Sequence, residues 1–300
     1  MPGGIDKTIV AVVLALVAAV ARLTAIPLAT TPPADPLVYV ALGDSYTAGP
    51  LVLPHDDTFV PQDCGQSTRN YPHIASQLAH ADVFRDVSCS SATINDFSRV
   101  QTAAAGSKVA PQYDALDDSV DVVSVGIGGN DVGFTGAAND CIQPPSQVGG
   151  TPCTPSFFVN GVDTMSQKIA AMQTELGDAI DHIHTLSPHA KVLIVSYPDA
   201  LPDDGVGCYP YVPIMNEDMP YLTAKFKEMN GALKAAAEAH NASYVDIYTS
   251  SIGHDACKPA GVAWVNGAVL VPPSFPAHPN DLSFLNSGPV VANAINTALR

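Results

Sequence analysis

The chain has 300 residues, 47% apolar and only 14% charged, with 13 Lys and Arg against 29 Asp and Glu and a net charge of −16. So acidic a chain lacks the cations that displace phosphate counterions, which excludes a sequence-independent nucleic-acid binder and electrostatic docking on anionic lipid. Its apolar fraction excludes general disorder, and its length suits one α/β domain with long loops.

In chain order, the first feature is an apolar run from Ile9 to Ala21, preceded by Lys7. At 13 residues it is shorter than a membrane-spanning helix of about 20. It fits the core of a secretory signal peptide, with Ala19, Val20 and Ala21 as a small-residue cleavage site. Arg22 directly after the run is unusual and keeps an uncleaved anchor open. A Thr- and Pro-rich linker follows, so residues 1–34 read as leader and linker and 35–300 as one domain. Removing 1–34 takes away Asp6, Lys7 and Arg22 and leaves a net charge of −17.

Short apolar runs with β-branched and aromatic content then predict strands at 37–42, 83–88, 120–127, 192–197 and 244–247. Runs that are apolar almost throughout predict a parallel sheet covered on both faces. Val162, Met165, Ile169, Met172, Leu176, Ile180 and Ile183 recur at helical spacing, as do Leu222, Phe226, Met229 and Leu233. A last helix is predicted from about Pro289 to Leu299. Strands alternating with helices predict a doubly wound α/β fold with its ligand at the carboxyl ends of the strands. Four stretches read as irregular: 48–70, 133–159, 198–219 and 250–285. Loops this long usually bind something or are stapled.

All six cysteines lie beyond the leader, and an even count behind a secretory signal reads as disulfides. Fifteen pairings are allowed. Pairing Cys64 with Cys89, Cys141 with Cys153 and Cys208 with Cys257 closes the shortest loops. No Cys-x-x-Cys pair and no His-Glu-x-x-His motif points to zinc, and no metal or cofactor is expected.

Three turns carry polar chemistry. Gly43-Asp44-Ser45-Tyr46 follows the first strand, where a serine opening a helix can expose its Oγ beside backbone N–H groups suited to an oxyanion. It is not a G-x-S-x-G elbow, because Thr47 replaces the second glycine. Gly126-Ile127-Gly128-Gly129-Asn130-Asp131 follows the strongest strand, and the Asn130 amide can donate to an oxyanion. His278-Pro279-Asn280 precedes the last helix and offers a base for a serine. Taken singly, each turn is as well explained by glycine turns and helix caps.

Together and in this order, these three motifs resemble the SGNH (GDSL) hydrolases, with the segment from Asp86 to Thr93 similar to that family's second block. The cysteines, Gly253-His254-Asp255-Ala256-Cys257 and Trp264-Val265 resemble its secreted actinobacterial lipases and esterases. The resemblance covers about residues 37–300. It implies a three-layer α/β/α, flavodoxin-like fold with a central parallel sheet, sequential disulfides and no metal. It makes Ser45 the nucleophile and His278 the general base. The oxyanion hole would be the backbone N–H groups of Ser45 and Ser91 with the Asn130 side chain.

The chain departs from the family pattern at three places. Ser91 stands where glycine is usual. Phe275 occupies the position, three residues before the histidine, that often holds Asp. The Gly-His that follows the histidine motif is replaced by Asp281-Leu282-Ser283-Phe284. A Ser–His dyad is therefore expected, with a main-chain carbonyl around 273–275, at Ser274, orienting His278. Asp281 is the second choice, though it follows His278 closely, and Asp255 the third, with a loop-structural role beside Cys257 favoured for it. Asp44 and Asp131 are read as holding their turns, and His73, His80, His182 and His184 as surface histidines. Tyr209, Tyr211 and the Pro-rich stretch 198–219 are read as lining a groove.

The expected activity is that of a secreted, monomeric esterase or lipase acting on acyl esters, with at most transient contact to lipid or cell-wall material. Two alternatives stand beside it. One is deacetylation of a carbohydrate or cell-wall glycan by the same residues. The other is a catalytically inactive surface binding protein on the same fold.

Overall fold

A computed structural model describes residues 36–142, 150–267 and 276–300. The predicted leader and linker lie outside these residues, as do 273–275. Five strands form one parallel sheet: β1 (Val38–Gly43), β2 (Val83–Asp86), β3 (Val122–Gly126), β4 (Lys191–Val195) and β5 (Ser243–Val245). Their order is β2-β1-β3-β4-β5. That is the flavodoxin-like order, in which the chain reverses direction of travel between β1 and β3, and a crevice opens there beyond the strands' carboxyl ends.

Alternation along the strands sends side chains into two separate cores. Val38, Val40, Leu42, Val123 and Val125 face helices α5 (Thr164–Leu186) and α6 (Met219–Ala239). Tyr39, Ala41, Val122 and Leu193 face α2 (Tyr71–Leu78) and α7 (Asp281–Ala298). β1 and β3 are buried along their whole lengths, as central strands of a covered sheet must be. The predicted core stripe of α5 is realised from Met165 on, with Met165, Ile169, Met172, Leu176, Ile180 and Ile183 all buried, but Val162 lies before the helix in a short strand and is exposed.

Two predicted elements differ. The last helix begins at Asp281, eight residues before Pro289, because the Asn280 side chain caps it by accepting from the N–H groups of Leu282 and Ser283. Pro289 lies within it, and Gly288 fits so closely against Ile74 of α2 that a Cβ would come within 2.5 Å. The stretch after 133, predicted irregular, contains a helix, here α4 (Phe134–Cys141). Two one-turn helices complete the site, α1 (Ser45–Ala48) after β1 and α3 (Gly129–Val132) after β3.

Disulfides join Cys64 to Cys89, Cys141 to Cys153 and Cys208 to Cys257. All three staple loops at the carboxyl edge of the sheet. The first holds the turn after β2, the second holds the end of α4, and the third ties the loop after β4 to the segment leading toward His278.

Candidate active site

β1 and β3 run side by side with Gly43 paired to Gly126. A Cβ on Gly43 would lie 2.7 Å from the Gly126 carbonyl, so the two strand ends approach as only glycines permit. Thr47, which stands where an elbow would have its second glycine, exploits this approach: its hydroxyl donates to the Gly126 carbonyl at 3.0 Å. The Asp44 N–H donates to the same oxygen at 3.0 Å. Gln112 clamps Gly43 from the other side, accepting from its N–H at 2.8 Å and donating to its carbonyl at 2.9 Å.

Asp44 caps α1 by accepting from the Tyr46 N–H at 2.8 Å, which leaves Ser45 as the first residue of the helix. Ser45 is 9% exposed. Its hydroxyl lies 2.8 Å from Nε2 of His278. The other ring nitrogen, Nδ1, lies 2.8 Å from the carbonyl of Pro276. A carbonyl can only accept, so Nδ1 carries the proton and Nε2 is left as the basic nitrogen facing Ser45. Burial pushes the imidazole below its ordinary pKa, and the Pro276 carbonyl pulls it part of the way back.

The histidine loop is held on three sides. Residues 264–266 pair with it: Asn266 N–H donates to the His278 carbonyl at 3.0 Å, and Asn280 N–H to that of Trp264 at 2.9 Å. The Asn280 amide donates to Ala263 and Asn266. Tyr46 reaches over from α1, its ring 5.0 Å from the imidazole and its hydroxyl donating to the Ala277 carbonyl at 2.6 Å.

Asn130 stands in α3, and its side-chain amide donates one hydrogen to the Ala92 carbonyl at 2.9 Å, leaving the second. Ser91, the residue before that carbonyl, has φ +67°, a left-handed conformation for which glycine is favoured. The glycine expected from the resemblance is therefore explained by the backbone, and this chain accepts the strain of a serine. Asp131 accepts from the Ile94 N–H at 3.0 Å, binding α3 to the same turn. Burial raises Asp44 to about 7 and Asp131 to about 6.

Ser45, Asn130 and His278 line one cleft of about 520 Å³. Its walls are mostly apolar, from α4 (Phe134, Ala138), the loop after β4 (Val212, Ile214) and α6 (Leu222, Phe226). Ile142 bridges to Ile214 across its edge.

Several expectations are corrected. The carbonyl on the His278 ring is that of Pro276, one residue beyond the predicted stretch, and Ser274 lies outside the described residues. Asp281 is not on the ring: it pairs with Arg69 at 3.2 Å in the first turn of α7. Asp255 agrees with its expected structural role beside Cys257: it accepts from the Cys257 N–H at 2.8 Å. His73 is not a surface histidine. It is largely buried, with its ring nitrogens 2.9 Å from Asp56 and 2.8 Å from Asn70. The predicted stretch 198–219 does line the cleft, through Leu201, Val212 and Ile214, but Tyr209 and Tyr211 are not among its lining residues. Tyr46, Gln112, Asn266 and Tyr197 were not singled out beforehand, because each acts through a partner distant in sequence.

The chain matches the GDSL-like Lipase/Acylhydrolase family over residues 41–282. It belongs to that family. It is 37% identical over 262 residues to Lipase 2 of Streptomyces coelicolor, covering 86% of this chain and 84% of that one. It is 30% identical over 285 residues to an esterase of Streptomyces scabiei, covering 83% of each. Among solved structures, an extracellular lipase from Streptomyces rimosus superposes with a TM-score of 0.69 over 86% of this chain and 99% of that one, at 24% identity. The shared fold is that of this α/β sandwich. The protein is a carboxylic ester hydrolase of the GDSL family, and its substrate is a small-molecule ester.

Proposed function

We propose that the protein cleaves acyl esters of apolar carboxylic acids through an acyl-enzyme on Ser45, using a Ser–His dyad. The 2.8 Å contact between Ser45 Oγ and His278 Nε2, with Nδ1 on a carbonyl, carries this reading. As Ser45 attacks the ester carbonyl carbon, its proton passes to Nε2. The tetrahedral oxyanion is met by the free hydrogen of the Asn130 amide and the N–H groups of Ser45 and Ser91. The imidazolium then gives its proton to the departing alcohol oxygen. Water repeats the cycle on the acyl-enzyme and releases the acid. The Pro276 carbonyl holds the imidazole in the correct tautomer and stabilises the cation while it exists.

The apolar cleft supports an acyl chain as the part of the substrate held beside Ser45, in preference to an acetylated sugar. Each methylene buried there is worth about 0.8 kcal/mol, or roughly fourfold in kcat/KM. The three disulfides and the short apolar leader support export of the protein.

Hydrolysis of p-nitrophenyl acetate, butyrate and palmitate by the wild type and by Ser45→Ala tests this directly. We expect kcat/KM to rise from acetate to butyrate and Ser45→Ala to be inactive. No turnover of any ester would remove the enzymatic reading. Unchanged turnover in Ser45→Ala would remove the nucleophile. A marked preference for acetate would return the glycan-deacetylase reading.

A further inference from the structure

Tyr197 stands two residues past the end of β4 and is 3% exposed. Its hydroxyl reaches both turns of the site at once. It donates to Asp44 Oδ2 and accepts from the Gly129 N–H at 2.8 Å. Asp44 directly precedes Ser45, and Gly129 directly precedes Asn130. Behind it, Asn230 of α6 grips the tyrosine's own backbone, accepting from its N–H at 2.9 Å and donating to its carbonyl at 3.2 Å. The ring meets Tyr46 and Phe226 edge-on, with centroids 5.0 and 6.0 Å away.

We propose that Tyr197 is a positioning residue for the oxyanion hole, tying the turn that carries Asn130 to the turn that carries Ser45. This rests on the reaction proposed above. The tie is needed because α3 starts from Gly128, which has no side chain to cap it. The Tyr197 hydroxyl supplies the missing cap from the loop after β4. The chemistry demands a hydroxyl. One group must accept from an amide N–H and donate to a carboxyl in the same buried place. A carboxylate there would repel Asp44, an ammonium could not accept, and a phenyl ring could do neither. Burial keeps the phenol protonated, so it remains a donor. With the hydroxyl gone, the Gly129 N–H loses its acceptor, and α3 is free to shift the Asn130 amide away from the oxyanion.

The test is a double-mutant cycle between Tyr197→Phe and Asn130→Ala, read as kcat and KM on p-nitrophenyl butyrate. Tyr197→Phe should lower kcat by on the order of tenfold, with KM within about twofold, since the lost interaction matters only where the oxyanion forms. In the Asn130→Ala background the same substitution should cost less than about threefold, because the group it positions is already absent. Equal losses in both backgrounds would overturn the proposal, since a merely structural tyrosine would act without regard to Asn130. So would a rise in KM with kcat unchanged. A second measurement needs no variant: in the wild type, the Gly129 amide should be protected from hydrogen exchange. A freely exchanging Gly129 amide would equally overturn it. Wild-type turnover abolished by Ser45→Ala is established first, so failure of the reaction assignment is seen separately from failure of the tie.

Discussion

Asp281→Asn separates a dyad from a triad. Asp281 stands three residues after His278, close enough in sequence to invite a catalytic role. Its Oδ2 is 3.2 Å from Arg69, with side chains 24% and 48% exposed, while Nδ1 of His278 lies 2.8 Å from the Pro276 carbonyl. The substitution therefore removes a half-exposed ion pair worth about 0–1 kcal/mol. It also removes a first-turn charge worth about 0.3–1 kcal/mol against the helix dipole. Together these are about 1 kcal/mol, a fall in melting temperature of roughly 2–4 °C for a domain of this size. A carboxylate that oriented the base would instead cost about 10⁴ in kcat. We expect kcat/KM on p-nitrophenyl butyrate within about threefold of wild type, with the small loss of melting temperature seen by calorimetry. A fall in kcat beyond a hundredfold in a variant that is still folded would refute the dyad.

Other outcomes follow from the same structure. Because burial lowers the His278 pKa, the neutral base persists to more acidic pH, and the acid limb of kcat/KM should fall below pH 6.5; a limb centred above 7 would contradict this. Asp44, Asp131 and Asp199 have pKa values raised from 3.8 to about 7, 6 and 6. The folded chain therefore holds protons that the unfolded chain has released. Stability should fall as pH rises from about 4 to 7, and Asp199→Asn should flatten that slope in thermal melts. Replacing Cys64 and Cys89 together opens a loop with a sequence separation of 25 beside Ser91. By loop entropy this should cost about 3.5 kcal/mol in denaturant unfolding. Ala138→Phe, which enlarges a side chain on the α4 wall of the cleft, should shift preference toward shorter acyl chains in the p-nitrophenyl ester series, with activity on acetate retained.

The order of strands and helices was legible in the sequence because it depends on local periodicity. Runs buried on both faces and stripes at 3.6-residue spacing are properties of contiguous residues, and β1, β3, β4, α5 and α6 followed from them. The turns of Ser45, Asn130 and His278 were legible for a similar reason: each is a short motif with its chemistry in adjacent residues. The start of α7 was missed because Pro289 reads as a boundary, whereas the Asn280 cap and the fit of Gly288 on Ile74 outweigh it.

What only the tertiary structure decided is how those turns meet. Ser45 and His278 are 233 residues apart and lie within a hydrogen bond because β1 is central in the sheet and the 264–266 segment holds the histidine loop over its end. Phe275 in place of the usual Asp already pointed to a main-chain carbonyl, but that it is the carbonyl of Pro276 depends on a turn of two residues. The Tyr197 tie joins Asp44 and Gly129 through a hydroxyl from the loop after β4. Sequence by itself determined which residues can do the chemistry; packing of distant segments determined which of them face one another.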